Sequence, residues 1–204
     1  MNPAVGDDDP IEGLREVEAV LYRQRGLLRF DLEDLQGRSL AEIRMIGMGM
    51  TRRILARSRL GAFVILSLGL FLPDRQRPSM ALVRSRMRER AVILDEEGVL
   101  QFVFRGVFTV RRRTFMVLDP SETAPLGRLR LQPGLGRPRT VALEDPSDRL
   151  IARIEDRPRA GVMEAIRTND REFVMRRSVG VDAQLADASL WALAAVQAFY
   201  ANTY

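Results

Sequence analysis

Four aspartates close apolar runs at matching places in the chain. Asp34 follows Phe30-Asp31-Leu32-Glu33 and Asp95 follows Ala91-Val92-Ile93-Leu94. Asp119 follows Phe115-Met116-Val117-Leu118, and Asp145 follows Val141-Ala142-Leu143-Glu144. Carboxylates recurring in this way could bind a metal ion or serve as acids. Their neighbours argue for turns instead. Asp34 and Asp95 are followed three positions on by Gly37 and Gly98, while Asp119 and Asp145 are followed directly by Pro-Ser. An Asp that opens a turn accepts hydrogen bonds from the turn's own amides, Pro at the next position presets φ, and Gly supplies a positive φ. Nothing matches an Asp-x-Asp-x-Asp-Gly loop with a closing Glu, so no metal is expected at these positions.

Other chemistry is excluded by composition. The chain has 0 Cys and 0 His. That removes disulfides, Cys/His zinc sites, thiol nucleophiles and every mechanism with a histidine base, the Ser-His-Asp triad included. The neighbouring acids Glu96-Glu97 and Asp7-Asp8-Asp9 fall in a turn and a terminal tail, not in a buried pair with separated pKa values. Gly47-Met48-Gly49-Met50-Thr51 lacks the spacing and the Lys of a phosphate loop and reads as a flexible junction. The expectation is a chain that is not an enzyme and carries no cofactor.

What remains is arginine. All 32 basic residues are Arg, against 27 acids, for a net charge of +5. Codon bias in a GC-rich, bacterial genome accounts for the choice of Arg over Lys; the guanidinium is always charged and grips phosphate or carboxylate bidentately whatever its origin. Arg84, Arg86, Arg88 and Arg90 recur with period two and run into Ala91-Val92-Ile93-Leu94. On one strand they would share a face and form a basic stripe about 20 Å long. Arg111 and Arg113 would share another face, and Arg52 and Arg53, with Arg57 and Arg59, crowd the stretch before an apolar run. Such clusters can be the solvated outside of a barrel or a docking surface for anionic phospholipid head groups. Nucleic acid is disfavoured as a partner, because no aromatic residues are interleaved with the Arg clusters.

These residues must be held by an all-β body. Each Asp sits between two alternating strands, and the uneven spacing of 34, 95, 119 and 145 suits a meander or barrel better than a solenoid. Hydrophobic residues make up 46% of the 204, enough for one sizeable core. The apolar run Leu60 to Leu72 is too short to span a bilayer as a helix and reads as a buried strand pair turning near Ser67-Leu68-Gly69, or as a short core helix. Residues 1–13 are expected to be a disordered acidic tail with no signal-peptide pattern. At the other end, Asp187 is positioned to cap a helix over 187–200 that is apolar on nearly every side. A helix of about 13 residues covers only about 20 Å, so burial inside the protein is expected, a barrel closing around it.

Asp-turned strand pairs, an all-β body and a terminal apolar helix together resemble the phospholipid scramblase and LURP-one-related families. The stretch Phe30 to Arg44 resembles their early strand-turn-strand element, and Asp187 to Tyr200 their core helix. The resemblance implies a mainly β, tubby C-terminal-like fold: a closed antiparallel β-barrel over residues 14–204 around a buried hydrophobic C-terminal helix, with 45–80 as an insertion. It also implies a non-enzymatic, phospholipid-associating module, cytoplasmic and peripheral at the inner face of the membrane. The chain departs from scramblases in having no Cys to acylate, and only Asp182 and Asp187 where they carry an acidic segment. The alternative is a soluble structural or protein-interaction barrel with a protein partner and no lipid role.

Overall fold

A computed structural model describes residues 11–25, 28–47, 65–85, 90–109, 112–132, 140–157 and 171–200. A short helix, α1 (Glu12–Glu16), precedes twelve strands: β1 (Ala19–Gln24), β2 (Phe30–Glu33), β3 (Ser39–Met45), β4 (Leu66–Phe71), β5 (Met80–Arg84), β6 (Arg90–Asp95), β7 (Leu100–Thr109), β8 (Arg112–Leu118), β9 (Pro125–Gln132), β10 (Thr140–Glu144), β11 (Leu150–Arg157) and β12 (Arg171–Arg177). A final helix, α2, runs Ala183–Tyr200. Each strand pairs antiparallel with the next, and β12 returns to β1, so the sheet is a closed barrel with no free side. Closure removes the edge strands that would otherwise template aggregation.

The four aspartates build four of the turns. Asp34, Asp95 and Asp145 open the same three-residue connection: the Asp N–H donates to the carbonyl four residues on, and the amide three residues on donates back to the Asp carbonyl. The residue at that third position has positive φ, as this loop type requires: Gly37 at 84°, Gly98 at 83° and Asp148 at 67°. The Asp119 turn is one residue longer, with Glu122 in the left-handed position at 59°. Each side chain accepts bonds from its own turn. Asp34 takes the Gln36 and Arg38 amides at 2.9 and 2.8 Å, and Asp95 takes the Val99 amide at 2.7 Å. Asp119 takes the Thr123 and Ala124 amides at 2.9 and 2.8 Å, and Asp145 takes the Ser147 and Arg149 amides at 2.9 and 3.0 Å. A register shift precedes every one of these turns, the mark of a bulge that twists the hairpin end.

Inward-facing residues alternate along each strand, and α2 threads the space they enclose. Every side chain from Ala186 to Ala198 is buried, so the helix is surrounded on all sides. Trp191 is 0% exposed, and Tyr22, Phe30, Phe102, Phe104, Phe115 and Phe173 are buried in the same core. The phenol of Tyr22 donates to the Leu190 carbonyl at 3.1 Å, and burial pushes its pKa up. Phe115 stacks on Phe199 with ring centroids 4.8 Å apart.

Three expectations change. The last helix starts at Ala183, not Asp187. Asp182 caps it, accepting the Gln184 amide at 2.9 Å, while Asp187 lies inside the helix and is held by the Arg15 guanidinium through bonds of 2.8 and 2.7 Å. Ser67-Leu68-Gly69 makes no turn but runs straight through β4, which pairs with both β3 and β5. Leu66–Phe71 is therefore a strand of the closed sheet. Residues 11–13 belong to the ordered body: Ile11 is buried in the core cluster and Glu12 begins α1. No helix among the described residues is long and apolar enough to cross a membrane.

Candidate anion-facing surface

The predicted basic stripe does not form. β5 ends at Arg84, the chain reverses, and β6 begins at Arg90, with Arg84 opposite Ala91. Arg84 belongs with Met80 and Leu82 on the inward face of β5 and is only 3% exposed. Its Nη1 donates to the Ala198 carbonyl at 2.6 Å, one of the last-turn carbonyls that an α-helix leaves unsatisfied. The residue is thus a cap for the buried end of α2. Arg90 points outward, where Glu122 binds it at 2.5 Å, and the same carboxylate lies 3.6 Å from Arg105. The Arg90 guanidinium in turn holds the Glu122 carboxyl below its ordinary range. Arg86, Arg88, Arg111, Arg52 and Arg53 lie outside the described residues, as does the side chain of Arg113. The backbone of Arg113 is in β8, opposite Phe108 of β7.

The outer wall of the barrel is a lattice of such pairs. Arg23 on β1 bridges Glu33 on β2 and Glu172 on β12 at 3.3 and 3.5 Å. Arg128 and Arg130 on β9 converge on Glu144 of β10 at 2.9 and 2.8 Å. Arg153 and Arg176 share Glu155. Sequence reasoning could have found these from the facing positions of opposite charges once the hairpin registers were fixed. The described residues, wall and acidic-end turns together, hold twenty-one Arg and twenty-one acids. The whole net charge of +5 resides elsewhere in the sequence.

Topology sorts that surplus by end. The strand ends that bracket 25–29, 46–65, 85–89, 110–111, 133–139 and 158–170 all fall at one end of the barrel, and those six stretches hold thirteen Arg and three acids. The opposite end carries 34–38, 72–79, 96–99, 119–124, 145–149 and 178–182, with nine acids and four Arg. The aspartates that shape the turns thus also make that end acidic. Among the described residues no group of three or more acids is arranged to hold a metal ion. Local hydrogen bonds pull the turn carboxyls below their ordinary range, led by the Arg38 amide at Asp34, the Ser121 hydroxyl at Asp119 and the Ser147 hydroxyl at Asp145.

Comparison with known proteins gives a likeness of fold. No family model matches the chain, and no curated protein matches it. A solved structure of an Arabidopsis thaliana protein is 13% identical, covers 87% of this chain and 90% of its own, and superposes with a TM-score of 0.53. A DUF1329 family protein from Desulfovibrio piger is 10% identical, with coverages of 88% and 96% and a TM-score of 0.27. A LolA superfamily protein from Nitrosomonas europaea is 8% identical, with coverages of 83% and 92% and a TM-score of 0.27. The first shares the fold, and the other two are too distant in geometry to carry an inference. The scramblase and LURP-one-related assignment is corrected on these findings: no family model supports it, and the similar structures bear other titles, so the closed barrel around a helix stands without that family name.

Proposed function

We propose that this chain is a non-enzymatic barrel that associates peripherally with anionic phospholipid through its Arg-rich end, at the inner face of the membrane. The observation that carries the reading is the segregation of charge between the two ends, nine acids against four Arg in the connections at one and thirteen Arg against three acids in those at the other. Each Arg close to an anionic surface contributes about 1 kcal/mol, and several acting together suffice for reversible binding. The α2 helix occupies the barrel interior, which favours contact by the outer surface over carriage of a lipid inside.

A second reading, a protein-interaction barrel, is favoured by apolar side chains at the acidic end. Val179 is 72% exposed and Leu35 64%, with Val99 and Leu150 exposed at turns on the same side. Co-sedimentation with vesicles separates the two. Binding to phosphatidylcholine–phosphatidylserine vesicles that weakens with salt, and no binding to phosphatidylcholine alone, supports lipid association. Equal indifference to both vesicle types refutes it and leaves the protein-interaction reading.

A further inference from the structure

Among the described residues six large apolar side chains are exposed, and four of them, Leu35, Val99, Leu150 and Val179, stand at the acidic end. Three of the four share one side of the rim. Val179 follows Ser178, whose amide donates to the Ile151 carbonyl and whose hydroxyl donates to the Leu150 carbonyl, each at 2.9 Å. On the other side the Arg177 amide donates to the Glu18 carbonyl at 2.7 Å. Val179 is thus set between the start of β11 and the start of β1. β1 pairs with β2 as far as Leu21 opposite Glu33, so the 34–38 turn with Leu35 comes next. The row Leu35, Val179, Leu150 crosses β2, β1, β12 and β11, three strand spacings or about 14 Å. Val99, on the β6–β7 turn, lies four strands beyond either end of that row.

The acids within this row differ from those of the wall. Glu12, Glu16 and Glu18 are exposed, and among the described residues no cation pairs with them. Arg15, the one Arg between them, is held by Asp187 at 2.7 Å. On the wall close by, Asp31 and Glu33 are matched by Arg25 and Arg23. Single exposed apolar residues are ordinary, but here they stand in a row beside carboxylates that the chain leaves without a cation. An anionic bilayer or a nucleic acid would be repelled by those carboxylates, and a neutral apolar surface would cover them unpaired. A polypeptide segment with Arg or Lys beside an apolar stripe suits both features. As a helix it would cover about 14 Å in two to three turns.

We propose that the rim formed by Leu35, Val179, Leu150 and α1 docks a basic amphipathic segment of a protein partner, with the partner's cations on Glu12, Glu16 and Glu18. The proposal rests on the protein-interaction reading above, names the partner's chemistry, and needs no membrane contact at the other end. The probe is a labelled helical peptide with a Leu stripe flanked by Arg, titrated with the full chain and followed by fluorescence anisotropy. Val179→Ser and Leu35→Ser should each weaken binding about fivefold, and together about 30-fold. Glu16→Gln with Glu18→Gln should weaken it about tenfold and flatten its dependence on salt. Val99→Ser, across the rim, should change it by less than about twofold. All these side chains are exposed, and buried Trp191 emission confirms that each variant is folded. Equal losses for Val99→Ser and Val179→Ser would overturn the placement while leaving the protein-interaction reading intact. Equal binding of a peptide with Ser in place of Leu, or no binding by the wild-type chain, would overturn the partner chemistry. Self-association of the chain alone that Val179→Ser abolishes would make a second copy the occupant and overturn the proposal too. Vesicle binding is measured separately and decides the membrane reading alone.

Discussion

Replacing Arg84 by Ala separates a buried cap from a surface charge. The guanidinium is almost fully buried and donates at 2.6 Å to the carbonyl of Ala198 in the last turn of α2. Burial pushes its pKa down from the ordinary guanidinium value, yet it stays charged at neutral pH. A hydrogen bond from a charged donor contributes about 1.5–3 kcal/mol, and a cation at a helix C-terminus up to about 2 kcal/mol in a partly buried site. The two contributions overlap, since both arise from the same charge near the same carbonyls, so the expected loss is about 2–4 kcal/mol. That is a large share of a total stability of about 5–15 kcal/mol. Urea unfolding followed by Trp191 emission measures it, with an unchanged m-value indicating that the native barrel is retained. Arg130→Ala is the contrast: an exposed guanidinium paired with Glu144 at the surface should cost no more than about 1 kcal/mol. Vesicle binding should be the same for Arg84→Ala and wild type below the unfolding transition. A loss under about 1 kcal/mol, or weakened vesicle binding with stability intact, would show that Arg84 is a surface residue after all and that the inward face of β5 is wrongly placed.

Other consequences can be checked with the same material. Trp191, wholly enclosed by the barrel, should emit at short wavelength and resist iodide, and free quenching of the native protein would contradict a helix inside the sheet. Gly127→Ala should destabilise by about 1–3 kcal/mol, because a Cβ there would lie 2.6 Å from the Glu144 carbonyl oxygen, which is backbone and cannot swing aside; a neutral result would mean that β9 and β10 are not so closely apposed. The lowered carboxyl pKa values of Asp34, Asp119 and Asp145 stabilise the fold above the unfolded value of 3.8, and that contribution disappears as pH falls through the lower folded values. Asp145→Asn should therefore be less stable than wild type at neutral pH, with the gap narrowing in acid; a gap that widens on acidification would reverse the assigned direction. Calorimetric titration with calcium should show no saturable heat, since each turn Asp already accepts bonds from its own loop, and a stoichiometric site lost on Asp119→Asn would refute this.

The parts of the fold that could be read in advance are those governed by neighbours in sequence. Each turn Asp bonds groups within six residues of itself, so the local sequence contains the whole interaction. The apolar character of 188–199 likewise announces burial without reference to any partner. The errors occurred where distant residues decide. Asp182 and Asp187 are equally good caps by type, and what removes Asp187 from the helix terminus is Arg15, 172 positions earlier. Gly69 resembles a turn residue, yet its lack of a side chain serves close packing: a Cβ would sit 2.8 Å from the Phe71 ring and 3.0 Å from both Ile46 and Pro78. The period-two arginines were misleading because no Gly or Pro between Arg84 and Arg90 signals that the strand stops. Alternation continues through the reversal, and only the pairing of Arg84 with Ala91 exposes it.

The direction of α2 bears on why the surplus Arg lies where it does. Its N-terminus lies at the acidic end, capped by Asp182, and its C-terminus at the Arg-rich end, met by Arg84. That polarity matches the helix dipole, positive at the N-terminus and negative at the C-terminus. One could then ascribe the charge of both ends to stabilising a helix threaded through the barrel. The distances argue against so broad a role. Dipole effects fade within the first and last turn, and exposed charges are screened over about 8 Å at physiological ionic strength. Arg84 and Asp182 are near enough to act on the helix ends; thirteen further Arg spread over six connections exceed what two terminal partial charges can use. The wall places an acid beside its outward strand arginines again and again, as Glu122, Glu144 and Glu155 do. An end so rich in Arg carries a cost in self-repulsion that an anionic partner would relieve, and the vesicle test asks whether a phosphate-bearing surface is that partner.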